Sequence, residues 1–322
     1  MNNEEYRDHR LMVRVGRMHY EQGLRQSQVA AKLEISQTKV SRLLKRAERE
    51  GIIRTVVIAP DGLHTDLEEA IEKKYGLEEV VVVDAEGTTR DVLPALASAG
   101  AEYVHRSFTV PTILGVSAWS ETLAALSMNL RSEMGAKAQA VVQLVGGAGR
   151  ADAHMASVQM LARFSNALDA SPILIPTPGV ASNEESQRVM TSDPVVASAI
   201  GYWDQVETAL LGIGGLEASP TLQRSGNVGD DQGRSFQELG AIGDICLRHF
   251  DQDGTFIQSE YDRRVIGVSP KQLSDIPRRI GIAGGSEKHR AITGAALGGI
   301  LTTLITDVET ATELAKTSRQ ET

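Results

Sequence analysis

Between residues 65 and 301, short apolar runs alternate with stretches of helical periodicity, and few folds accept such a pattern. The strand-like runs are Glu79–Asp84, Thr112–Val116, Ala140–Val145, Pro172–Ile175, Val206–Gly212 and Arg279–Ala283. The helical stretches are Thr65–Tyr75 (closed by Gly76), Val92–His105, Thr122–Met134, Val158–Leu168, Asp193–Tyr202 and His289–Leu301. A strand that is apolar along its whole length must be covered on both faces, and helical crossovers supply that cover. The pattern predicts an α/β domain with a largely parallel sheet. In such sheets ligands sit beyond the carboxyl ends of the strands, so the loops there carry the functional argument.

Four of these loops have suitable chemistry. Gly115-Val116-Ser117-Ala118-Trp119-Ser120-Glu121-Thr122 leads from a strand into a helix, where backbone N–H groups and hydroxyls can meet an anion. It lacks the Gly-Lys-Ser/Thr ending of a Walker loop and the GxGxxG of a dinucleotide fold. Gln143-Leu144-Val145-Gly146-Gly147-Ala148-Gly149 and Gly212-Ile213-Gly214-Gly215 allow either a close ligand approach or a sharp turn. In Ala283-Gly284-Gly285-Ser286-Glu287-Lys288 a lysine stands at a helix start, against the dipole, where an anionic partner explains its placement. Asp244 lies among apolar residues in Gly240-Ala241-Ile242-Gly243-Asp244-Ile245. A carboxylate there needs hydrogen bonds, either as a helix cap or from the hydroxyls of a polyol.

The first 58 residues have a different character. Three helices are expected: Tyr6–Gln22, stopped by Gly23; Ser27–Leu33, with Ser27 as N-cap; and a third from the N-cap Ser36 to Gly51. In the third, Val40, Leu43, Leu44 and Ala47 form one apolar stripe, and the other face is polar and basic. The spacing from Ser27 to Leu43 is that of a helix-turn-helix, with Glu34 in the turn where glycine is usual. Gln37, Thr38, Ser41 and Arg42 are the candidates for the major groove, with Lys39, Lys45 and Arg46 directed to phosphates and the cap Ser36 counted with the DNA-binding residues. Ile52–Ile58 reads as a short strand, a wing beside the helices. Ala59-Pro60-Asp61-Gly62 then breaks the chain, giving a head at 1–58, a linker at 59–65 and a body at 66–322.

Charge divides the same way. Residues 1–58 hold 12 Lys+Arg and 7 Asp+Glu, a net of +5, whereas the rest hold 21 and 35, a net of −14. A basic head suits a polyanion, and an acidic body does not. One cysteine, Cys246, excludes an internal disulfide and a cysteine-rich metal site, and is expected as a small buried residue. No metal or cofactor is expected. With no membrane-length apolar run and no signal-like start, a cytoplasmic protein is expected.

Taken in order, these segments resemble the SorC family of bacterial sugar-responsive transcription regulators. The likeness rests on the helix-turn-helix, Gly115-Val-Ser117 through Thr122, Val142-Gln143-Leu144, Gly240 to Asp244, Ile276-Pro277, Gly284 to Lys288, and Leu304 to Ala311. It implies a Rossmann-like α/β body similar to glucosamine-6-phosphate deaminase and ribose-5-phosphate isomerase, used as a sensor and joined to a winged-helix-like head. It also implies effector contacts from Gly115, Ser117, Trp119, Ser120, Thr122, Gln143, Gly146, Asp244, Gly285 and Lys288, with Arg224 as a further anion contact. Relative to the family form Gly-x-Ser-Trp-Gly-x-Thr, Ala118 is an insertion and Ser120 stands where glycine does.

The expected function is DNA-binding regulation of a carbohydrate catabolic operon, controlled by a sugar or sugar phosphate. The partners are double-stranded operator DNA, the effector, and copies of the chain in a dimer or tetramer. The alternatives are a sugar-phosphate isomerase or deaminase with an appended head, and a regulator without a working sensor. Enzymatic chemistry requires a base with a partner acid. No histidine lies in the motif loops, His289 being nearest.

Overall fold

The computed structural model describes residues 3–53, 62–108, 110–132, 135–147, 151–216 and 236–316, without the side chains of 3–6 and 151–153. Residues 54–58 of the expected wing, Ala148, Gly149 and Arg224 lie outside that description. The chain divides into two compact units, Met1–Pro60 and Asp61–Thr322.

In the first unit, α1 (Asn3–Gly16) runs into a π-helical turn (Arg17–Glu21), followed by α2 (Gln26–Leu33) and α3 (Gln37–Arg49). The first helix is therefore not regular up to Gln22 as expected. Nor does Ser27 cap α2: the helix starts at Gln26, Arg25 is the N-cap, and the Gln28 side chain accepts the Arg25 N–H at 2.9 Å. Glutamine three residues into a helix can take over this role, which left Ser27 inside the first turn. Glu34 adopts the left-handed conformation (φ 56°, ψ 40°), ending α2 and turning the chain into α3. Met12, Val15, Met18, Val29, Val40, Leu43, Leu44 and Ala47 form the core of this unit.

The second unit contains, in order, α4 (Thr65–Tyr75), β1 (Glu79–Val83), α5 (Thr89–Ser107), β2 (Ile113–Val116), α6 (Glu121–Asn129), β3 (Ala140–Gln143), α7 (Ala151–Ala167) and β4 (Ser171–Ile173). It continues with α8 (Glu184–Ser192), α9 (Pro194–Ile200), β5 (Thr208–Leu211), β6 (Gly214–Gly215), β7 (Gly243–Ile245) and β8 (Arg248–Phe250). The last elements are α10 (Pro270–Asp275), β9 (Arg278–Ile282), α11 (His289–Leu297), β10 (Thr303–Asp307) and α12 (Val308–Lys316). Seven strands form a parallel sheet in the order β1-β10-β9-β5-β2-β3-β4.

Alternate residues of each strand feed opposite faces. Ala209, Leu211, Val142 and Leu304 pack with α4, α10, α11 and α12. Leu210, Val141 and Ile305 pack with α5, α6 and α7. The result is a mixed α/β fold with apolar layers on both sides of the parallel sheet, as the strand composition requires.

Three expectations about this unit are corrected. The helix expected over Thr122–Met134 ends at Asn129, because Leu130 is already extended. The one expected to reach Leu301 ends at Leu297, since Gly298 and Gly299 (φ 63°) close it. The helix expected from Val158 begins at Ala151. A second, antiparallel sheet, β6-β7-β8, is an addition that the sequence pattern did not suggest. Its strands are only two or three residues long, too short for alternation to register.

Candidate functional site

In the first unit the polar face of α3 is displayed as its periodicity demands. Ser36 caps the helix, its Oγ accepting the Lys39 N–H at 3.2 Å. Gln37, Thr38, Lys39, Arg42 and Lys45 are exposed, and Ser41 is partly so. Arg46 is placed differently. Its guanidinium donates to Glu50 at 2.6 Å and to Asp8 at 2.9 Å, tying α1 to the end of α3. These hydrogen bonds, Glu50 first and then Asp8, raise the Arg46 pKa. The side chain expected at phosphates thus already has two internal carboxylate partners.

In the second unit the strands β9, β5 and β2 are neighbours, so the loops beyond their carboxyl ends meet. After β2, the buried Ser117 Oγ accepts the Gly212 N–H at 3.0 Å, which locks this loop to the one after β5. Ser120 caps α6 by accepting the Leu123 N–H at 3.2 Å. Each hydroxyl uses a lone pair and keeps its proton to donate. A Cβ on Gly212 would collide with Ser120 Oγ, so glycine at 212 makes room for the Ser120 side chain. Thr122, in the first turn of α6, is buried. Trp119 Nε1 donates to Gly146 O at 2.9 Å, joining this loop to the one after β3.

After β9, the Gly285 N–H donates to the fully buried Asp307 at 2.8 Å, and Asp307 also accepts the Thr310 N–H and hydroxyl. Gly285 has φ 99°, and a Cβ there would strike the backbone of Thr89. Glu287 accepts the Thr89 N–H at 2.9 Å, which fixes the loop against the start of α5. This places Lys288 at the N-cap of α11, half-buried beside Gly215, whose added Cβ would lie 4.0 Å from Lys288 Cγ. Among the described residues Lys288 makes no ion pair within 4.0 Å. Burial lowers its pKa, and the charges of Asp244, Glu121 and Glu287 oppose that shift.

Asp244 lies in β7, opposite Gly214 of β6 and His249 of β8. A Cβ on Gly214 would strike Asp244 Oδ1, and Asp244 Oδ2 accepts the Leu247 N–H at 3.2 Å. Asp244 is therefore a strand residue that also holds its own hairpin turn. In that turn Cys246 (φ 54°) and Leu247 (φ 63°) are both left-handed and buried. Burial, with the Asp244 charge second, pushes the Cys246 thiol pKa up.

Gly115, Gln143 and Gly146 make close contacts within the frame. Gly115, in the middle of β2, would place a Cβ 2.6 Å from Leu144 and 3.0 Å from Val206. Gln143 is 2% exposed, with Oε1 accepting the Ile175 N–H at 3.1 Å and Nε2 donating to Ser157 at 3.3 Å. Gly146 lets its chain cross Pro178 O, which an added Cβ would approach to 2.6 Å. Ser117, Trp119, Ser120, Thr122, Asp244, Gly285 and Lys288 belong to the loop cluster and the small sheet packed on it.

Sequence reasoning missed His249. It is buried, stacked on Phe236 at 3.7 Å between centroids, and its pKa is lowered by burial against the pull of Asp244 and Asp262. His289 was expected as the histidine nearest the motif loops, but a hairpin with a two-residue turn brings His249 directly across from Asp244. The Asp244-Ile-Cys-Leu-Arg-His249 spacing was the available signal, but Cys-Leu is not a usual turn pair. Among the described residues no group of three or more His, Cys, Asp or Glu could hold a metal ion. No described helix is long and apolar enough to cross a membrane.

Residues 62–316 match the family described as "Putative sugar-binding domain". The whole chain is similar to the deoxyribonucleoside regulator of Bacillus subtilis, 33% identical over 309 residues that cover 94% of this chain and 96% of the relative. It is also similar to the sorbitol operon regulator of Klebsiella pneumoniae, 29% identical over 315 residues covering 96% and 98% of the two chains. The crystal structure of that full-length regulator, SorC, superposes with a TM-score of 0.71 at 27% identity, covering 95% of this chain and 98% of the other.

Proposed function

The chain belongs to the SorC family of sugar-binding transcriptional regulators, and from that premise we propose that its head reads operator DNA while its body senses a phosphorylated sugar or polyol. The head acts as a helix-turn-helix. Gln37, Thr38, Ser41 and Arg42 read base edges, and Lys39 and Lys45 meet phosphates. Arg46 braces α1 against α3 through Asp8 and Glu50. The body is the Rossmann-like sensor. Ser117, Ser120, Thr122 and the start of α6 receive the anionic end of the effector with Lys288, and Asp244 accepts its hydroxyls. Copies of the chain pair in the cytoplasm to read a symmetric operator of a carbohydrate operon.

The observation that carries this reading is the meeting of three loops, after β2, β5 and β9, around a lysine that makes no ion pair among the described residues. The enzyme alternative gives way, since relatives matched along nearly their whole length are regulators. An effector acts only if it binds the operator-competent state and the incompetent state differently.

The test measures operator binding by fluorescence anisotropy, using DNA from upstream of the chain's own operon and a panel of sugars, polyols and their phosphates. One phosphorylated member should change operator affinity about fivefold or more, the usual size of an allosteric coupling. Lys288→Ala should abolish that response and leave ligand-free operator affinity unchanged. A variant that responds like the parent removes Lys288 from the effector site.

A further inference from the structure

Beside the loop cluster, three polar groups converge without satisfying one another. Asp244 and His249 face each other across β7 and β8. The Tyr261 ring lies 5.6 Å from the His249 ring and 5.0 Å from Phe236, edge-on to both. Tyr261 is 6% exposed, and its hydroxyl finds no hydrogen-bond partner among the described residues. Its surroundings are apolar, with Ala118, Val145, Leu247 and Val265 in the same cluster. A buried hydroxyl without a partner is costly, and phenylalanine would fill this space without that cost.

The position of Tyr261 is firmly held. The adjacent Asp262 forms a buried ion pair with Arg248 at 2.6 Å, and Arg248 also donates to the carbonyls of Val268 and Gly267 at 3.0 Å. Burial, with the charge of Asp244 second, raises the tyrosine pKa, so the hydroxyl keeps its proton and has it to donate. Burial keeps His249 neutral, with one ring nitrogen to donate and one to accept.

We infer that Tyr261, with His249, is a second recognition element of the effector site, in which the Tyr261 hydroxyl donates to a hydroxyl oxygen of the ligand's uncharged end while Asp244 accepts a hydrogen bond from a ligand hydroxyl. The inference rests on the effector reading proposed above and adds the ligand class that the site selects. The ligand is anionic at one end, held near Lys288, and hydroxylated at the other. A compound lacking the matching hydroxyl leaves Tyr261 and Asp244 unpaired, so the site discriminates sharply between hydroxylated and deoxygenated analogues.

The test uses the full chain in thermal-shift and calorimetric titrations. The probes are ribose 5-phosphate, 2-deoxyribose 5-phosphate, fructose 6-phosphate, sorbitol 6-phosphate, their unphosphorylated parents and inorganic phosphate. For the compound bound most tightly, Tyr261→Phe should weaken binding at least tenfold. Any response to inorganic phosphate should stay equal in the two proteins, and ligand-free Tyr261→Phe should melt at or above the parent. His249→Gln should weaken the same compound. Binding within twofold of the parent in Tyr261→Phe overturns the inference, as does a lower ligand-free melting temperature, which would mean the hydroxyl is already paired. If the parent binds a probe and only Lys288→Ala loses it, this inference falls and the effector reading stands. If the parent binds nothing, both fall.

Discussion

The residues of this loop cluster are tightly constrained by their neighbours. Ser120 can occupy its position only because residue 212 is glycine, and Asp244 can lie across β6 only because residue 214 is glycine. His249 carries a consequence for stability. Its pKa is lowered in the folded chain, so the unfolded chain binds the extra proton first as pH falls. The folded unit is therefore fully stable above the unfolded histidine pKa, about 6.5, and loses stability as pH drops from there toward the lowered folded value. The slope is at most about 1.4 kcal/mol per pH unit for one histidine. Denaturant unfolding of the full chain between pH 7.5 and 5 should show this loss, and His249→Phe, which keeps the stack on Phe236, should flatten it. The buried His105, its pKa lowered by burial and then by Arg131, leaves a residual slope in the variant.

At the scale of elements, capping and periodicity decide most boundaries. The stripe Val40, Leu43, Leu44 and Ala47 and the cap Ser36 were readable in the chain and are found buried and capping respectively. Ser36→Ala should cost about 1 kcal/mol in the head's stability, the usual worth of such a cap. The lowered melting of residues 1–60, followed by circular dichroism, checks it; an unchanged transition would show that the Glu34 turn holds α3 without the hydroxyl. Where boundaries were misjudged, a competing local device was present. Gln28 displaced Ser27 from its role at α2, and Gly298-Gly299 cut α11 short. The strands β6, β7 and β8 were illegible because a strand of two or three residues has no periodicity to read.

For the whole molecule, the head has an apolar core of its own, and the body has separate apolar layers on the two faces of its sheet. Each unit therefore contains what independent folding requires. Residues 62–316 expressed alone should unfold cooperatively and gain about 2.7 kcal/mol at a hundredfold excess of effector over Kd, by binding linkage. Thermal melts with and without the compound found in the operator screen provide the check. A fragment that folds but shows no gain would mean that effector recognition needs the head.

The chain by itself determined the number of units, the parallel character of the sheet, the polar face of α3 and the glycine and hydroxyl loops. All of these follow from short-range rules of periodicity, capping and turn chemistry, which act within a few residues. The tertiary structure decided which of those loops meet, because sheet order depends on long-range burial and register that no local pattern encodes. It packed Gln143 and Gly115 within the frame of the sheet and paired Arg46 with Asp8 and Glu50. It also brought Tyr261, from beyond their hairpin, to His249 and Asp244, which no local pattern foretold.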